Sequence, residues 1–222
     1  RMLWRLATRN QRWRIYDKFL VSENRWRAQR YGPERGLIDF GRGEIVDFPI
    51  LVDEILELIA KYCKACDDRD VPLLRSIFTE DAVVKSQDGM MEGIGRDGVL
   101  DMYRKRFEVL AISVHWTHDN IITFDENDPD RATGECFCHA EAHRNGETLV
   151  GSLRYDDTYQ RVNGVWQFSS RTLKFLYYVP VHEYAEALGS KKRMRAYGDQ
   201  RDADYPETFD CYNTWAKHYE NA

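Results

Sequence analysis

Long apolar runs are missing from this 222-residue chain. None approaches the roughly 20 residues that a helix needs to cross a bilayer. The first ten residues, RMLWRLATRN, lack the apolar centre and small-residue cleavage site of a secretory signal. An excess of positive charge is missing too. The formal net charge is -5, and the basic residues gather mainly in the first 35 positions and around Lys191 to Arg195, so no nucleic-acid surface is expected. Five cysteines are an odd count for a secreted disulfide scaffold, which makes reduced thiols in a cytoplasmic protein the expectation. Repeats and low-complexity tracts are absent. What remains, 43% apolar and 31% charged residues, is the balance of a globular protein that can bury a core.

The chain reads as three parts. Residues 1–46 are rich in Arg and Trp, with a helical pattern from about Arg12 to Tyr31 that YGPERG breaks. LIDF then suggests a short strand and GRGE a turn. Residues 47–180 read as one domain. Apolar groups at Ile55, Leu58, Ile59, Tyr62 and Cys66 have helical spacing. A second short helix follows in DVPLLRSIF, with Asp70 as N-cap and Pro72 in the first turn. AVVKS and MMEGIG suggest short strands, and GRDGVLDMYRKRFEVL a third helix. Four long strands follow, separated by ENDPD, RNGE and VNGV, which carry turn chemistry. Helices first and a meander of strands afterwards predict an α+β fold, a curved antiparallel sheet with helices across its concave face. Residues 181–222 are polar and aromatic. HEYAEALGS suggests a short helix, and the rest is expected to wrap over the domain or to contact a partner.

The stretch KYCKACDDRD holds the densest chemistry. Tyr62 and Cys66 fall on the apolar face of the first helix, and Asp67 follows at its end. A carboxylate there is costly to bury unless it is paired. His115 lies in a strand whose alternation puts Ser113, His115 and Thr117 on one face and Val114, Trp116 and His118 on the other. A carboxylate beside an imidazole would orient the ring as a general base, and Arg171 would hold an anionic group or a developing charge. Taken alone, a carboxylate at a helix end is more often a solvated or capping group, a strand histidine more often a packed one, and an arginine a surface or salt-bridge residue.

Residues 47–180 resemble the SnoaL-like branch of the nuclear-transport-factor-2-like superfamily. IAKYCKACDDRDVPLLRSIFTEDAVV, SVHWTHDNIITFD and DTYQRVNGVWQFSSRTLKFLYYVP carry the resemblance. It is nearest to the lyases of that superfamily, the bile acid and scytalone dehydratases and hexachlorocyclohexane dehydrochlorinase. The resemblance implies a cone-shaped barrel with an Asp–His dyad, here Asp67 and His115, 48 positions apart. It also implies catalytic roles for Tyr62 and Arg171, and no cofactor or metal. His139 stands near the place where the bile acid enzyme has a further carboxylate, and His139, Trp116 and Phe137 are expected to bind substrate. The implied activity is elimination of water from a small hydrophobic or polycyclic molecule. The alternatives are isomerisation or cyclisation in the same pocket, and a non-catalytic ligand-binding or oligomerising module. The expected partners are a small-molecule substrate and further copies of the chain, as a dimer or trimer, with no membrane.

Two other patterns have competing readings. Cys63 and Cys66, with Cys136, Cys138 and His139, could supply a zinc site. Because the first pair sits in a helix and His139 points away from Cys136 and Cys138, thiols packed in a barrel interior are the favoured reading. SENRWRAQRYGPERGLIDFGRG resembles the C-terminal segment of carboxylate–amine ligases related to glutamate–cysteine ligase. The ATP- and metal-binding sheet of such enzymes is not found in these residues, so no ligase activity is expected of them.

Overall fold

The computed structural model describes residues 37–39 and 45–220, with side chains from Leu51 onward. The expected helix over residues 12–31 and the GRGE turn lie outside the described residues. Backbone packing divides the chain into residues 1–53 and residues 54–222. In the first unit β1 (Leu37–Asp39) pairs antiparallel with β2 (Ile45–Asp47), Ile38 opposite Val46. Among the described residues, no helix is long and apolar enough to cross a membrane.

Helix α1 (Phe48–Asp67) obeys its sequence pattern, since Ile55, Leu58, Ile59, Tyr62 and Cys66 are all buried. Arg69 breaks the chain direction with a positive φ of 55°. Asp70 then caps α2 (Val71–Ser76) by accepting the Leu73 N–H at 3.0 Å, with Pro72 in the first turn, where a missing N–H costs nothing. Strands β3 (Phe78–Ser86) and β4 (Glu92–Ile94) precede α3 (Gly95–Val109). The meander follows as β5 (Ile112–Phe124), β6 (Arg131–Arg144), β7 (Glu147–Val162) and β8 (Val165–Pro180).

The six strands form one sheet in the order β4-β3-β8-β7-β6-β5. All neighbours are antiparallel except β3 and β8, which run parallel. The curved sheet with helices expected from the sequence is present, and the parallel β3–β8 pair makes it mixed rather than antiparallel throughout. Its cause is topological: the last strand returns past the helices to lie beside the first long one. The Asn145-Gly146 and Asn163-Gly164 turns have positive φ at both positions, 53° and 83°, then 52° and 79°. These are the values a two-residue hairpin requires.

Alternation decides what faces the helices. On β6, Cys136, Cys138, Ala140 and Ala142 point inward, and on β7 Leu153, Tyr155, Asp157 and Tyr159 do so. Tyr62 of α1 sits at the centre, with its ring in edge contact with Tyr103 of α3, His115 of β5, Tyr155 of β7 and Phe168 of β8.

The C-terminal extension belongs to the same unit as the sheet and packs over it. A short 3-10 turn runs into α4 (Tyr184–Ala187). Beyond it, Arg195 N–H donates to the Tyr178 carbonyl and Tyr178 N–H to the Arg193 carbonyl, so residues 193–195 continue the sheet edge past the end of β3. Arg193 is buried. It donates to the carbonyls of Leu176, Ser190 and Tyr205 and forks onto the Glu207 carboxylate at 2.8 and 2.7 Å. On the outer face Arg154 stacks against Phe137, Tyr205 and Phe209. An exposed helix α5 (Thr214–Tyr219) follows.

Candidate active site

The end of α1 and the first half of β5 bring Asp67 and His115 together. His115 Nδ1 lies 2.6 Å from Asp67 Oδ1, and the His115 backbone N–H donates to Oδ2 at 2.9 Å. The Ser113 hydroxyl adds a longer bond to Oδ1, at 3.4 Å. The two side chains are 17% and 20% exposed, so the contact is partly screened from water. An ionised carboxylate only accepts, so a neutral imidazole in this contact carries its proton on Nδ1 and leaves the lone pair on Nε2. The backbone N–H bond ties the carboxylate to the very residue whose ring it orients.

His115 lines a cavity between the helices and the concave face of the sheet. The space open to the centres of water-sized spheres is about 70 Å³, within about 620 Å³ of atom-free volume that includes the mouth. Met91, Met102, Leu153, Leu173 and Phe175 make most of the wall apolar. Polar groups come from Ser113, His115, Glu141 and Arg106 and from four tyrosines. The Tyr103 hydroxyl lies 2.9 Å from the Tyr62 hydroxyl. The Tyr155 hydroxyl is buried with no conventional hydrogen-bond acceptor or donor, the Cys138 thiol being its polar neighbour. Burial pushes the Tyr62, Tyr103 and Tyr155 hydroxyls well above the ordinary tyrosine range, against the pull of the Arg171 charge. They therefore stay protonated and are able to donate.

Arg171 is not at the cavity surface, which corrects its expected direct role. It is fully buried and forks onto Asp157 through Nε and Nη2, both at 2.7 Å. Its guanidinium is packed against the rings of Tyr62, Phe168 and Tyr155, 4.0 to 4.3 Å from their centroids. The cation is thus in contact with two rings of the cavity lining, Tyr62 and Tyr155, and not with the cavity itself.

His139, Trp116 and Phe137 are also corrected, because all three lie on the outer face. Trp116 stands opposite His139, and His118 opposite Phe137, in the β5–β6 register. One position further along either strand would have turned them inward. Instead His139 Nδ1 meets His118 Nε2 at 3.0 Å, Trp116 is 51% exposed and Phe137 lies against Arg154.

Cys63, Cys66, Cys136 and Cys138 are buried free thiols. Burial pushes Cys136 and Cys138 up to about 12. Among the described residues, no three His, Cys, Asp or Glu side chains converge as a metal site would need. Tyr103, Tyr155 and Arg106 escaped the sequence reading although all three line the cavity. Helical spacing with Val99 and Met102 marks Tyr103 as inward, and alternation with Leu153 and Asp157 marks Tyr155. That both converge on Tyr62 depends on how α3 crosses the sheet.

Residues 51–172 match the family described as a SnoaL-like domain. Among solved structures, hexachlorocyclohexane dehydrochlorinase LinA-type3 from Novosphingobium barchaimii LL02 superposes with a TM-score of 0.55 at 20% identity, over 60% of this chain and 91% of that one. A protein called "Putative Scytalone Dehydratase" from Novosphingobium aromaticivorans DSM 12444 gives 0.55 at 20%, over 60% and 89%. At these identities the likeness is one of fold. Among curated proteins, "Putative glutamate--cysteine ligase 2" of Jannaschia sp. is 57% identical over 82 residues, 36% of this chain and 21% of its own length. The chain thus spans about a fifth of that relative.

Proposed function

Because the chain belongs to the SnoaL-like domain family, a family of small-molecule-binding modules, we propose that it is an acid–base lyase that eliminates water from a small apolar molecule through Asp67 and His115, without a cofactor. The observation that carries this reading is the 2.6 Å contact between His115 Nδ1 and Asp67 Oδ1 at the wall of an apolar cavity.

His115 Nε2 takes a proton from a carbon next to an activating carbonyl. Asp67 stabilises the imidazolium that results, without taking the proton itself. The electron pair left on carbon forms the new double bond, and the hydroxyl group leaves. Imidazolium returns the proton to that oxygen, so water departs and the ring is neutral again. Tyr62 and Tyr155 are placed to donate to the carbonyl oxygen as charge grows on it, in a site where low dielectric strengthens such bonds. The narrow interior favours a compact substrate. A polycyclic one requires the mouth to widen. A cavity beside His115 also speaks against the purely structural alternative, in which aromatic side chains would fill the cone.

The test is turnover on a panel of small β-hydroxy carbonyl compounds, followed by mass spectrometry. A product lighter by one water supports elimination, and one of unchanged mass assigns the same pocket to isomerisation. His115→Ala should lower kcat/KM by about 10²–10⁴-fold, the usual contribution of one positioned base. Asp67→Asn should also lower it, because an amide no longer holds the tautomer. Turnover that survives both substitutions would refute the reading.

A further inference from the structure

The cavity wall at Arg106 and Tyr178 carries an electrostatic feature that the proposed dyad does not use. Arg106, near the end of α3, lines the cavity. Arg144 ends β6. The two guanidiniums converge on one neutral acceptor. Arg106 Nη1 donates to the Ala196 carbonyl at 3.0 Å and Arg144 Nη1 to the same oxygen at 2.7 Å. Arg144 Nη2 reaches the Tyr197 carbonyl at 3.1 Å, while its Nε is buried with no partner. Both guanidiniums also face the Tyr178 hydroxyl, another cavity residue.

Neighbouring charges are matched. Arg195 pairs with Glu183 at 2.6 Å, and Arg201 with Asp199 at 2.8 Å and Asp88 at 3.5 Å. Among the described residues no carboxylate lies within 4 Å of Arg106 or Arg144, so neither takes part in an ion pair. Glu141, the carboxylate in the cavity lining, is exposed and contacts neither. Two cations whose hydrogen-bond partners here are all neutral, the Ala196 and Tyr197 carbonyls and the Tyr178 hydroxyl, are under-compensated, because a neutral acceptor returns roughly half the strength of a charged one.

We propose that Arg106 and Arg144 form a subsite at the cavity mouth for the carboxylate end of an apolar substrate, with the Ala196 carbonyl as the acceptor that this carboxylate displaces. The inference rests on the proposed use of the cavity and adds the class of its ligand: an organic acid whose apolar body enters toward His115. A planar carboxylate can accept from two guanidinium forks at once, which a carbonyl cannot. Displacing Ala196 loosens residues 194–201 and widens a cavity that is otherwise small. Anion capture and opening of the mouth are then one event.

Calorimetric titration with 2-naphthoate and with 2-naphthamide tests this, because the two probes share a body and differ by one charge. The expected result is binding of the acid at least tenfold tighter than of the amide. Added salt should weaken binding of the acid and leave the amide unaffected. Arg106→Gln and Arg144→Gln should each erase most of the acid's advantage while the amide binds as before. Amide hydrogen exchange at Arg195 and Arg201 should quicken with the acid. Equal affinity of the two probes for the unsubstituted protein, or an advantage that survives both substitutions, would overturn the proposal. The readout is binding without turnover, so the subsite can fail while the Asp67–His115 chemistry stands, and the reverse.

Discussion

Arg171 and Asp157 face each other across β8 and β7, and their side chains are entirely buried. Asp157 also accepts the Tyr159 hydroxyl at 2.9 Å. Removing one member strands the other charge in the interior. Arg171→Met should therefore destabilise the protein by about 3–5 kcal/mol in urea unfolding, and Asp157→Asn by a comparable amount. The double substitution Asp157→Asn with Arg171→Met should cost clearly less than the two single costs together, since no charge is left unpaired. Additive costs would show that the residues do not act as a pair. The sequence could nominate Arg171 but not its role, because the partner lies fourteen positions upstream and only strand register makes them neighbours. Asp67 and His115 were legible for a different reason. Their separation along the chain matched the pattern of the resemblance, and the structure brings the two side chains within 2.6 Å.

At the level of elements, period and turn chemistry made most of the meander readable. Asn163 and Gly164 form the β7–β8 turn, and a Cβ on Gly164 would meet nothing within 4 Å. Any penalty for Gly164→Ala is then conformational. It should cost about 1–2 kcal/mol in thermal or urea unfolding, the strain of a left-handed backbone bearing a side chain. An unchanged stability would show that the turn relaxes into another form. The faces of β5 and β6 were harder. Alternation tells which residues share a face but not which face meets the core, and the residues expected to bind substrate, His139, Trp116 and Phe137, stand on the outer one. On β5 the register also shifts between His118 and Ile121, next to a positive φ at Asp119. The C-terminal extension had no period to read. It is held by side-chain bonds to backbone, those of Arg193 above all, rather than by a repeated apolar stripe.

For the molecule as a whole, the extension joins the sheet through a titrating group. Asp204 Oδ2 accepts the Phe175 N–H at 2.8 Å. Burial, helped by Asp88, pushes its carboxyl up to about 6, while the Phe175 N–H and Lys174 pull the other way. A folded-state value above the ordinary one means that the folded form holds the proton more tightly. The stabilising contribution is complete below the ordinary carboxylate range and is lost as pH rises through 6. Asp204→Asn should accordingly raise the melting temperature at pH 8 relative to the unsubstituted protein, with the gap closing toward pH 4. A gap that is constant with pH, or of opposite sign, would contradict the assignment. Within the same unit, Ala140 lies opposite His115 in the register and lines the cavity. Ala140→Leu should fill the space beside the imidazole and remove ligand binding, at the cost of about 1–3 kcal/mol of overpacking.

The central claim is that a carboxylate fixes the His115 tautomer so that Nε2 faces the cavity as a base. Nitrogen-15 NMR of histidine-labelled protein at neutral pH, with the His115 signals identified by their loss in His115→Gln, reads this directly. The account predicts a protonated Nδ1 and a bare Nε2, with the distinction weakened in Asp67→Asn. A His115 ring carrying its proton on Nε2 would contradict it.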